Sequence, residues 1–210
     1  MIMPKTAIEQ LSGNLRKDII HGIIKSGEHI KEKEIAVKYK VSRIPVREAL
    51  MQLENEGYLV KIPRKGNFVR SLTRNSVEES LLIYENLVPL ILKDAITKYS
   101  KKTYRDVEKI LNKIECSDDS LEITDLVWDF KKKVFEKTKY IHIFSIVENV
   151  FKQSMRLVSI LIESMEQKSF NVSSYKKFMK LCSQNKKTEA IKVFMDFLKI
   201  ERKLLMGMFN

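Results

Sequence analysis

Two arginines one helical turn apart are the residues of this sequence whose type and spacing most suggest chemistry. Arg43 and Arg47 lie in the stretch VSRIPVREALMQLENEGYLV (41–60), where they share one side of a predicted helix. The apolar residues gather on the opposite side: Val46, Ala49, Leu50 and Leu53. A guanidinium is a permanently charged, planar donor, so the arginine side favours an anionic partner. The competing interpretation is a solvated helix face, on which Arg47 pairs only with a nearby Glu48 or Glu54.

The charge of the whole sequence also favours an anionic partner. The chain has 210 residues and a formal net charge of +12. Residues 1–74 hold 15 Lys and Arg against 8 Asp and Glu, so the basic excess is denser there than in the rest of the chain. A surplus of this kind is typical of proteins that bind nucleic acid or a membrane surface.

Composition and length indicate a soluble globular protein with one large domain or two small ones. Hydrophobic residues make up 44% and charged residues 31% of the chain, which excludes a disordered class. The most apolar segment, LVPLIL (87–92), is too short to span a bilayer, and the opening MIMPKTAIEQ lacks the apolar run of a signal peptide. Cys116 and Cys182 are expected to be reduced. We therefore expect a cytoplasmic protein without a membrane partner.

Three predicted helices occupy the first third of the chain. Apolar residues recur at spacings of three and four over about residues 6–25: Ile8, Leu11, Leu15, Ile19 and Ile23. A short helix over residues 31–40 follows. Ser42 is a suitable N-cap for a third helix, and Pro45 falls in its first turn. Gly57 is expected to end that helix.

A hairpin is predicted directly after the third helix. The runs YLVKI (58–62) and NFVRS (67–71) are rich in β-branched and aromatic residues, which favours strands, and residues 63–66 form the loop between them. The order helix, helix, helix, hairpin predicts a winged helix–turn–helix domain over residues 1–72.

The remaining sequence predicts helices only, separated by short polar breaks. They lie near residues 76–99, 103–115, 120–138, 141–167, 173–184 and 187–207. The predicted fold class is therefore mainly α. It consists of an N-terminal winged helix–turn–helix with a small β-hairpin wing and a C-terminal antiparallel helical bundle, residues 76–210, for effector binding or dimerisation.

A helix–turn–helix places the start of its second helix against base edges in the major groove of DNA. Arginine reads guanine there through its O6 and N7 atoms. Lys33, near the start of the preceding helix, is placed to bind a phosphate, and the hairpin tip is placed near the minor groove. The predicted DNA-contacting residues are Lys33, Ser42, Arg43, Arg47, Arg64, Lys65 and Gly66.

A family resemblance rests on residues 11–69, which read LSGNLRKDIIHGIIKSGEHIKEKEIAVKYKVSRIPVREALMQLENEGYLVKIPRKGNFV. This stretch resembles the winged helix–turn–helix domain of GntR-family bacterial transcription regulators. The resemblance implies double-stranded DNA as the partner, contacted by Lys33, Arg43, Arg47, Lys65 and Gly66. Ile44 departs from the family, which usually has Thr there. An apolar contact with a thymine methyl would replace the lost hydrogen bond.

The helical segment is similar to the ligand-binding domain of the FadR subgroup, including the stretch IYENLVPLILKDAI (83–96). The resemblance implies a divalent metal held by one Asp and three His, with a carboxylate effector bound to it. This sequence has three histidines in all, and only His142 lies in the helical segment. The four ligand positions align with Val127, Lys131, Tyr175 and Phe197. We therefore predict no metal and no cofactor.

Two roles remain for the helical segment. It is expected either to hold a small organic acid in an apolar cavity or to serve mainly for dimerisation. The candidate effector-binding residues are Asp129, Lys131, Arg156 and Tyr175. Lys131 begins the run KKK, which is more typical of a solvated helix face.

The sequence thus favours a homodimeric regulator that binds a pseudo-palindromic operator and responds to a small molecule. The alternative is a winged-helix DNA-binding or protein-interaction module with no effector and little sequence specificity. An enzyme is not expected, because the sequence contains no Gly-rich phosphate loop, paired-carboxylate motif or nucleophile–histidine arrangement.

Overall fold

A computed structural model of the protein describes residues 7–164 and 172–209. The chain divides into two compact units, with the boundary between Thr73 and Arg74. The N-terminal unit combines helices with a small sheet, whereas the described part of the second unit is helical. This architecture confirms the mainly helical fold class predicted from the sequence.

The N-terminal unit contains the three predicted helices and a three-stranded antiparallel sheet. The helices are α1 (Ala7–Ile20), α2 (Glu32–Tyr39) and α3 (Arg43–Asn55). The strands are β1 (His29–Ile30), β2 (Leu59–Ile62) and β3 (Gly66–Val69), in the order β1-β3-β2. Strands β2 and β3 are the two arms of the predicted hairpin wing.

Strand β1 lies in a segment that the sequence pattern treats as a loop. It pairs His29 with Phe68 and Ile30 with Asn67 of β3. Two residues are too few to show the alternation that identifies a strand in a sequence. The pairing nevertheless ties the chain before α2 to the wing and buries Ile30.

Helix α1 ends five residues before the end predicted from its apolar repeat. The predicted stripe includes Ile23, but this side chain is 63% exposed, whereas Ile24 is buried. Gly22 has a φ of +69°, a left-handed conformation that a helix interior does not accept. The chain therefore turns at Gly22, and the apolar period shifts by one residue.

Helix α3 has the boundaries and the buried face predicted for it. The four apolar residues of the predicted buried face are at most 1% exposed: Val46, Ala49, Leu50 and Leu53. Gly57, at a φ of +82°, follows the helix, and the N–H of Tyr58 donates to the carbonyl of Leu53 at 2.9 Å. This is a Schellman-type ending. Ser42 has the extended backbone of an N-cap, but its side chain makes no capping hydrogen bond, contrary to expectation.

The second unit contains the six predicted helices in the predicted order. They are α4 (Arg74–Ala95), α5 (Lys101–Cys116), α6 (Ser120–Phe135), α7 (Ile141–Ser164), α8 (Ser173–Ser183) and α9 (Lys187–Gly207). A short 3₁₀ turn, Ile96–Lys98, follows α4. The end predicted for α7, residues 165–167, lies outside the described residues.

The core of the second unit lies where α4, α6, α7 and α9 pack together. Large side chains fill it, and the ring of Phe130 stacks on that of Tyr175 with centroids 4.2 Å apart. Within residues 7–164 and 172–209, no helix is both long and apolar enough to cross a membrane.

Candidate nucleic-acid interface and helical cavity

The first turn of α3 presents Arg43 to solvent, on the side opposite its buried face. No residue in the described part of the chain forms an ion pair with this guanidinium. Ser42 and Ile44 beside it are exposed as well. Arg43 therefore has the position and the unoccupied donors that base recognition requires.

Arg47 lies one turn further along the same face, but it has a partner. Its Nε donates to a carboxylate oxygen of Glu32 on α2 at 2.8 Å. The sequence suggested Glu48 or Glu54 for this contact, which was wrong because α2 packs against α3 and brings Glu32 close. The Arg47 side chain remains 67% exposed, and its two Nη groups have no partner among the described residues.

Helix α2 contributes Lys33, in its first turn, as a cation that is unpaired among the described residues. Lys33 is exposed and has no ion-pair partner among the residues described. The other lysines near it are engaged: Lys31 binds Glu34 at 2.7 Å, and Lys38 binds Asp18 at 2.6 Å. The hydrogen bond that Lys38 donates to the carboxylate of Asp18 raises the pKa of Lys38. Lys33 is thus the lysine of this helix that remains available to a phosphate.

The wing tip places Arg64 and Lys65 in an exposed turn. The N–H of Lys65 donates to the carbonyl of Ile62 at 3.0 Å, and Arg64 has a φ of +64°. Neither cation has an ion-pair partner within the described ranges. Both side chains are therefore free to contact a nucleic acid.

Residue 66 is a glycine for a structural reason that the sequence did not reveal. Its φ is +99°, and an added Cβ would lie 2.8 Å from Nε2 of His29. The imidazole of His29 stacks on the ring of Phe68 with centroids 4.7 Å apart. The DNA contact predicted for Gly66 stays a prediction, and the contact between β1 and the wing is a separate reason for glycine at this position. His29 was missed because nothing in its neighbourhood of the sequence points to the wing.

The helical unit has a small, partly open cavity of about 40 Å³, lined by residues of α4, α6, α7 and α9. Its lining is mostly apolar and includes Leu81, Phe151, Leu157, Val158, Leu198 and Leu205. The polar lining residues are Ser80, Tyr84, Glu85, Lys131, Ser154 and Glu201. An apolar pocket with few polar groups is the usual form of a small-molecule site.

Lys131 is buried, contrary to the solvated face that the run KKK suggested. Its side chain is 2% exposed, and Nζ lies 3.0 and 3.1 Å from the two carboxylate oxygens of Glu201. Nζ also lies 4.9 Å from the ring centre of Phe151. Lys132, the next residue, is exposed, because successive residues of a helix face different directions.

Of the four candidate effector-binding residues, Lys131 is the one whose side chain, among those the structure describes, lines the cavity. Asp129 is exposed on α6, and Tyr175 is buried between the rings of Phe130 and Phe197. The side chain of Arg156 lies outside the described part of the structure. Tyr84 and Glu201 were missed. Tyr84 lies in the stretch IYENLVPLILKDAI (83–96), which does not show which of its side chains line a cavity, and Glu201 belongs to no motif and lies on a helix distant in sequence.

Two tyrosine hydroxyls of this core have strongly raised pKa values. Burial, followed by the charges of Glu201 and Glu148, raises the pKa of Tyr84 well above its ordinary value. Burial and Glu201 do the same for Tyr175. Both groups therefore keep their protons and remain hydrogen-bond donors at physiological pH.

The positions that the FadR resemblance assigns to metal ligands are part of this packing. Val127 and Tyr175 are buried, and Lys131 pairs with Glu201. In the described residues, no group of three or more His, Cys, Asp or Glu is arranged to hold a metal ion.

Comparison with known proteins relates the N-terminal unit to bacterial regulatory proteins. Residues 7–69 match the family described as bacterial regulatory proteins, gntR family. Over 104 residues the chain is 29% identical to the HTH-type transcriptional repressor RspR of Escherichia coli K12, covering 50% of this chain and 46% of that protein. Over 145 residues it is 30% identical to the uncharacterized HTH-type transcriptional regulator YdhC of Bacillus subtilis 168, covering 67% and 65%.

The matched part of the chain spans about half the length of RspR and just under two thirds of YdhC. The solved structure of E. coli McbR/YncC has the same fold, with a TM-score of 0.84 at 16% identity over 99% of this chain and 100% of that chain. Residues 7–69 therefore form a domain of the gntR family of bacterial regulatory proteins.

Proposed function

We propose that this protein is a DNA-binding transcriptional regulator, acting as a repressor, whose homodimer binds a pseudo-palindromic operator. A small molecule bound in the helical unit sets its affinity for that operator. Such a regulator works in the cytoplasm, where the bacterial chromosome lies.

Arg43 carries the proposal. It is the first residue of α3, it is exposed, and its guanidinium has no ion-pair partner among the described residues. The start of the second helix of a helix–turn–helix is the part that meets base edges. A bidentate contact from an arginine to guanine contributes about 1–3 kcal/mol of discrimination between bases.

The cations around Arg43 support a binding surface rather than a single contact. Lys33 and the wing residues Arg64 and Lys65 are exposed without ion-pair partners in the described part of the chain. Contacts of lysine with phosphates add affinity on any sequence, while base contacts add selectivity.

The effector and the dimer belong to the same proposal. The mostly apolar cavity of the helical unit, with a buried ion pair, supports a ligand site there. A two-fold dimer reads two half-sites, so the operator is pseudo-palindromic. Coupling between a ligand and DNA is usually about 1–3 kcal/mol, which changes occupancy from several-fold to about a hundred-fold.

The test is selection of bound fragments from random DNA, with wild type, Arg43→Ala and Arg105→Ala. Arg105 is exposed on α5 in the other unit, so its replacement is a control with the same change of charge. Arg43→Ala should lose about 1–3 kcal/mol of operator binding and relax base choice at one position in each half-site. An unchanged preferred motif in Arg43→Ala would contradict the role of this residue.

The same experiment distinguishes the alternative function, a module that binds DNA without reading its sequence. A specific regulator binds its operator at least about 10³-fold more tightly than random DNA at physiological salt, whereas an electrostatic binder shows almost no difference. The exposed arginine at the start of α3 favours the specific reader.

A further inference from the structure

The outer face of α4 carries a single stripe of exposed side chains. From residue 79 to residue 93, the exposed residues of this helix are, in order, Glu79, Leu82, Asn86, Leu90 and Lys93. Their spacings are three, four, four and three, so they lie within about 80° of the helix circumference. A stripe with this spacing is the usual seam along which one helix packs against another.

The middle of the stripe is apolar. Leu82 is 46% and Leu90 is 42% exposed. Single exposed leucines are common on protein surfaces, but Ile83 and Leu87 beside these two are half-buried and widen the apolar area. Removing this area from water would stabilise a complex in which a partner covers it.

The two ends of the stripe carry opposite charges. Glu79 and Lys93 are fourteen residues apart, which is about 21 Å along a helix axis. Neither forms an ion pair within the described part of the chain, although the amide of Asn75 donates to the Glu79 carboxylate at 2.8 Å. Opposite charges at the two ends are complementary to the same stripe turned end to end.

The stripe is symmetric about Asn86. The two leucines lie four residues to either side of it, and the two charged residues lie seven to either side. In an antiparallel pair centred on Asn86, Glu79 of each copy faces Lys93 of the other, and each Leu82 faces a Leu90. A two-fold axis makes every such contact occur twice. The pattern therefore fits a second copy of this chain.

Helix α9 also exposes apolar residues, but its outer face does not fit a second copy. Ile200 is 56% and Leu204 is 41% exposed. The charged residues among the exposed positions from 192 to 204 are three lysines and one aspartate. Two copies of this face would therefore repel each other, because like charges meet across the contact.

We propose that the protein dimerises by antiparallel packing of α4 against α4 of a second copy, about a two-fold axis at Asn86. This rests on the proposed function, which includes a homodimer, and deepens it by naming the surface through which the copies meet. The competing outcomes are a dimer joined by another face and a chain that stays monomeric.

Reversal of either end charge tests the contact. Glu79→Lys and Lys93→Glu each place like charges opposite one another twice in the dimer. Sedimentation velocity of the full chain without DNA, at about 0.1–100 μM, gives the dissociation constant of the dimer. Each variant should weaken the dimer at least about tenfold. A wild-type chain that is monomeric throughout this range, or two variants that dimerise like wild type, overturns the proposal.

Two variants of α5 are the matched controls for these reversals. Glu108→Lys and Lys109→Glu make the same changes of charge at exposed positions of the helical unit. Both should leave the dissociation constant of the dimer unchanged. A loss in these controls as large as in the α4 variants would show a general effect of charge and would overturn the assignment to α4.

Mixing the two α4 variants tests the register of the contact. The Glu79→Lys chain is basic at both ends of the stripe, and the Lys93→Glu chain is acidic at both ends. Each variant repels its own copies but is complementary to the other, so the mixture should form a heterodimer about as tight as the wild-type dimer. A mixture that associates no better than the separate variants overturns the antiparallel register.

Leu90→Glu tests the apolar middle, with Leu204→Glu on α9 as the control of nearly equal exposure. Leu90→Glu should weaken the dimer at least about tenfold, because it places two carboxylates in the apolar contact. Leu204→Glu should have no effect. Equal losses, or a loss in Leu204→Glu alone, contradict the proposal. Circular dichroism checks that both variants fold, and if Leu90→Glu does not, the charge reversals decide.

These measurements contain no DNA, so they fail independently of the proposed DNA recognition. A dimer that persists in all the α4 variants keeps the proposed regulator and loses this interface. A chain that dimerises through α4 but selects no operator loses the regulator and keeps the interface.

Discussion

The contact between Arg47 and Glu32 determines how the second arginine of α3 meets DNA. An ion pair this exposed contributes only about 0–1 kcal/mol, so DNA can displace it. While it lasts, Nε is occupied and neither Nη group has a hydrogen-bond partner among the described residues. Glu32 thus has two opposite effects: it orients Arg47, and it places a negative charge near the phosphates.

Glu32→Gln should separate these two effects. Removal of the negative charge should raise affinity for random DNA several-fold, because repulsion of the phosphates is lost. The ratio of operator to random-DNA affinity should fall, because a neutral amide holds Arg47 less firmly. Fluorescence anisotropy with both DNAs measures the two affinities. Glu108→Gln, at an exposed position of α5, is the control. Unaltered random-DNA affinity in Glu32→Gln would contradict the argument.

At the scale of elements, the position of the wing depends on the contact between Gly66 and His29. Strand β1 joins β3 there, so the segment before α2 and the hairpin form one sheet. A side chain at residue 66 would meet the imidazole and would also have to adopt a φ of +99°. Both effects act on the turn that carries Arg64 and Lys65.

Gly66→Ala should therefore destabilise the N-terminal unit by about 1–3 kcal/mol. Gly13→Ala is the matched control, because an added Cβ in α1 has no atom within 4 Å. It should stabilise by about 0.5–1 kcal/mol, the usual gain in a helix. Urea unfolding followed by circular dichroism measures both changes. The fluorescence of Trp128, the single tryptophan, reports on the helical unit and should not change. A Gly66→Ala variant as stable as wild type would refute the role assigned to this contact.

Elements with a sustained period were predictable from the sequence, because burial on one face imposes that period. Helix α3 shows this clearly: its apolar face, its exposed arginines and its end at Gly57 were all predicted. Strand β1 is only two residues long, and α1 ends at Ile20, just before the turn at Gly22, although Ile23 continues its apolar repeat. Such local interruptions depend on backbone conformations that a period does not record.

The helical cavity was predictable only in part, because it depends on contacts between residues distant in sequence. Lys131 was named as a candidate, but its burial depends on Glu201, which lies 70 residues away. Nothing near Tyr84 in the sequence indicates that this residue lines a cavity. Sequence patterns identify the face that a residue occupies on its own helix, while the partner on another helix is known only from the fold.

At the scale of the whole molecule, the distribution of charge suits DNA binding in the N-terminal unit and the binding of a ligand in the helical unit. The net charge is +12, and residues 1–74 contribute +7 of it, from 15 basic and 8 acidic residues. In the helical unit, the cations nearest the cavity are paired, namely Lys131 with Glu201 and Arg202 with Glu85. Binding to DNA should therefore depend strongly on salt, whereas ligand binding in a neutral cavity should depend on it little.

The salt dependence also tests whether the operator is bound by a dimer. Neutralising a phosphate contributes about 0.9 to the slope of log K against log salt concentration. A dimer uses Lys33 twice, so Lys33→Ala should flatten the slope by about 1.8, whereas a monomer would lose only about 0.9. Lys109→Ala, an exposed lysine on α5, should leave the slope unchanged. Operator affinity at four or more salt concentrations gives these slopes. An equal effect of both variants would refute the phosphate contact, and a change of about 0.9 would favour binding as a monomer, because each copy of the protein presents one Lys33 to the DNA.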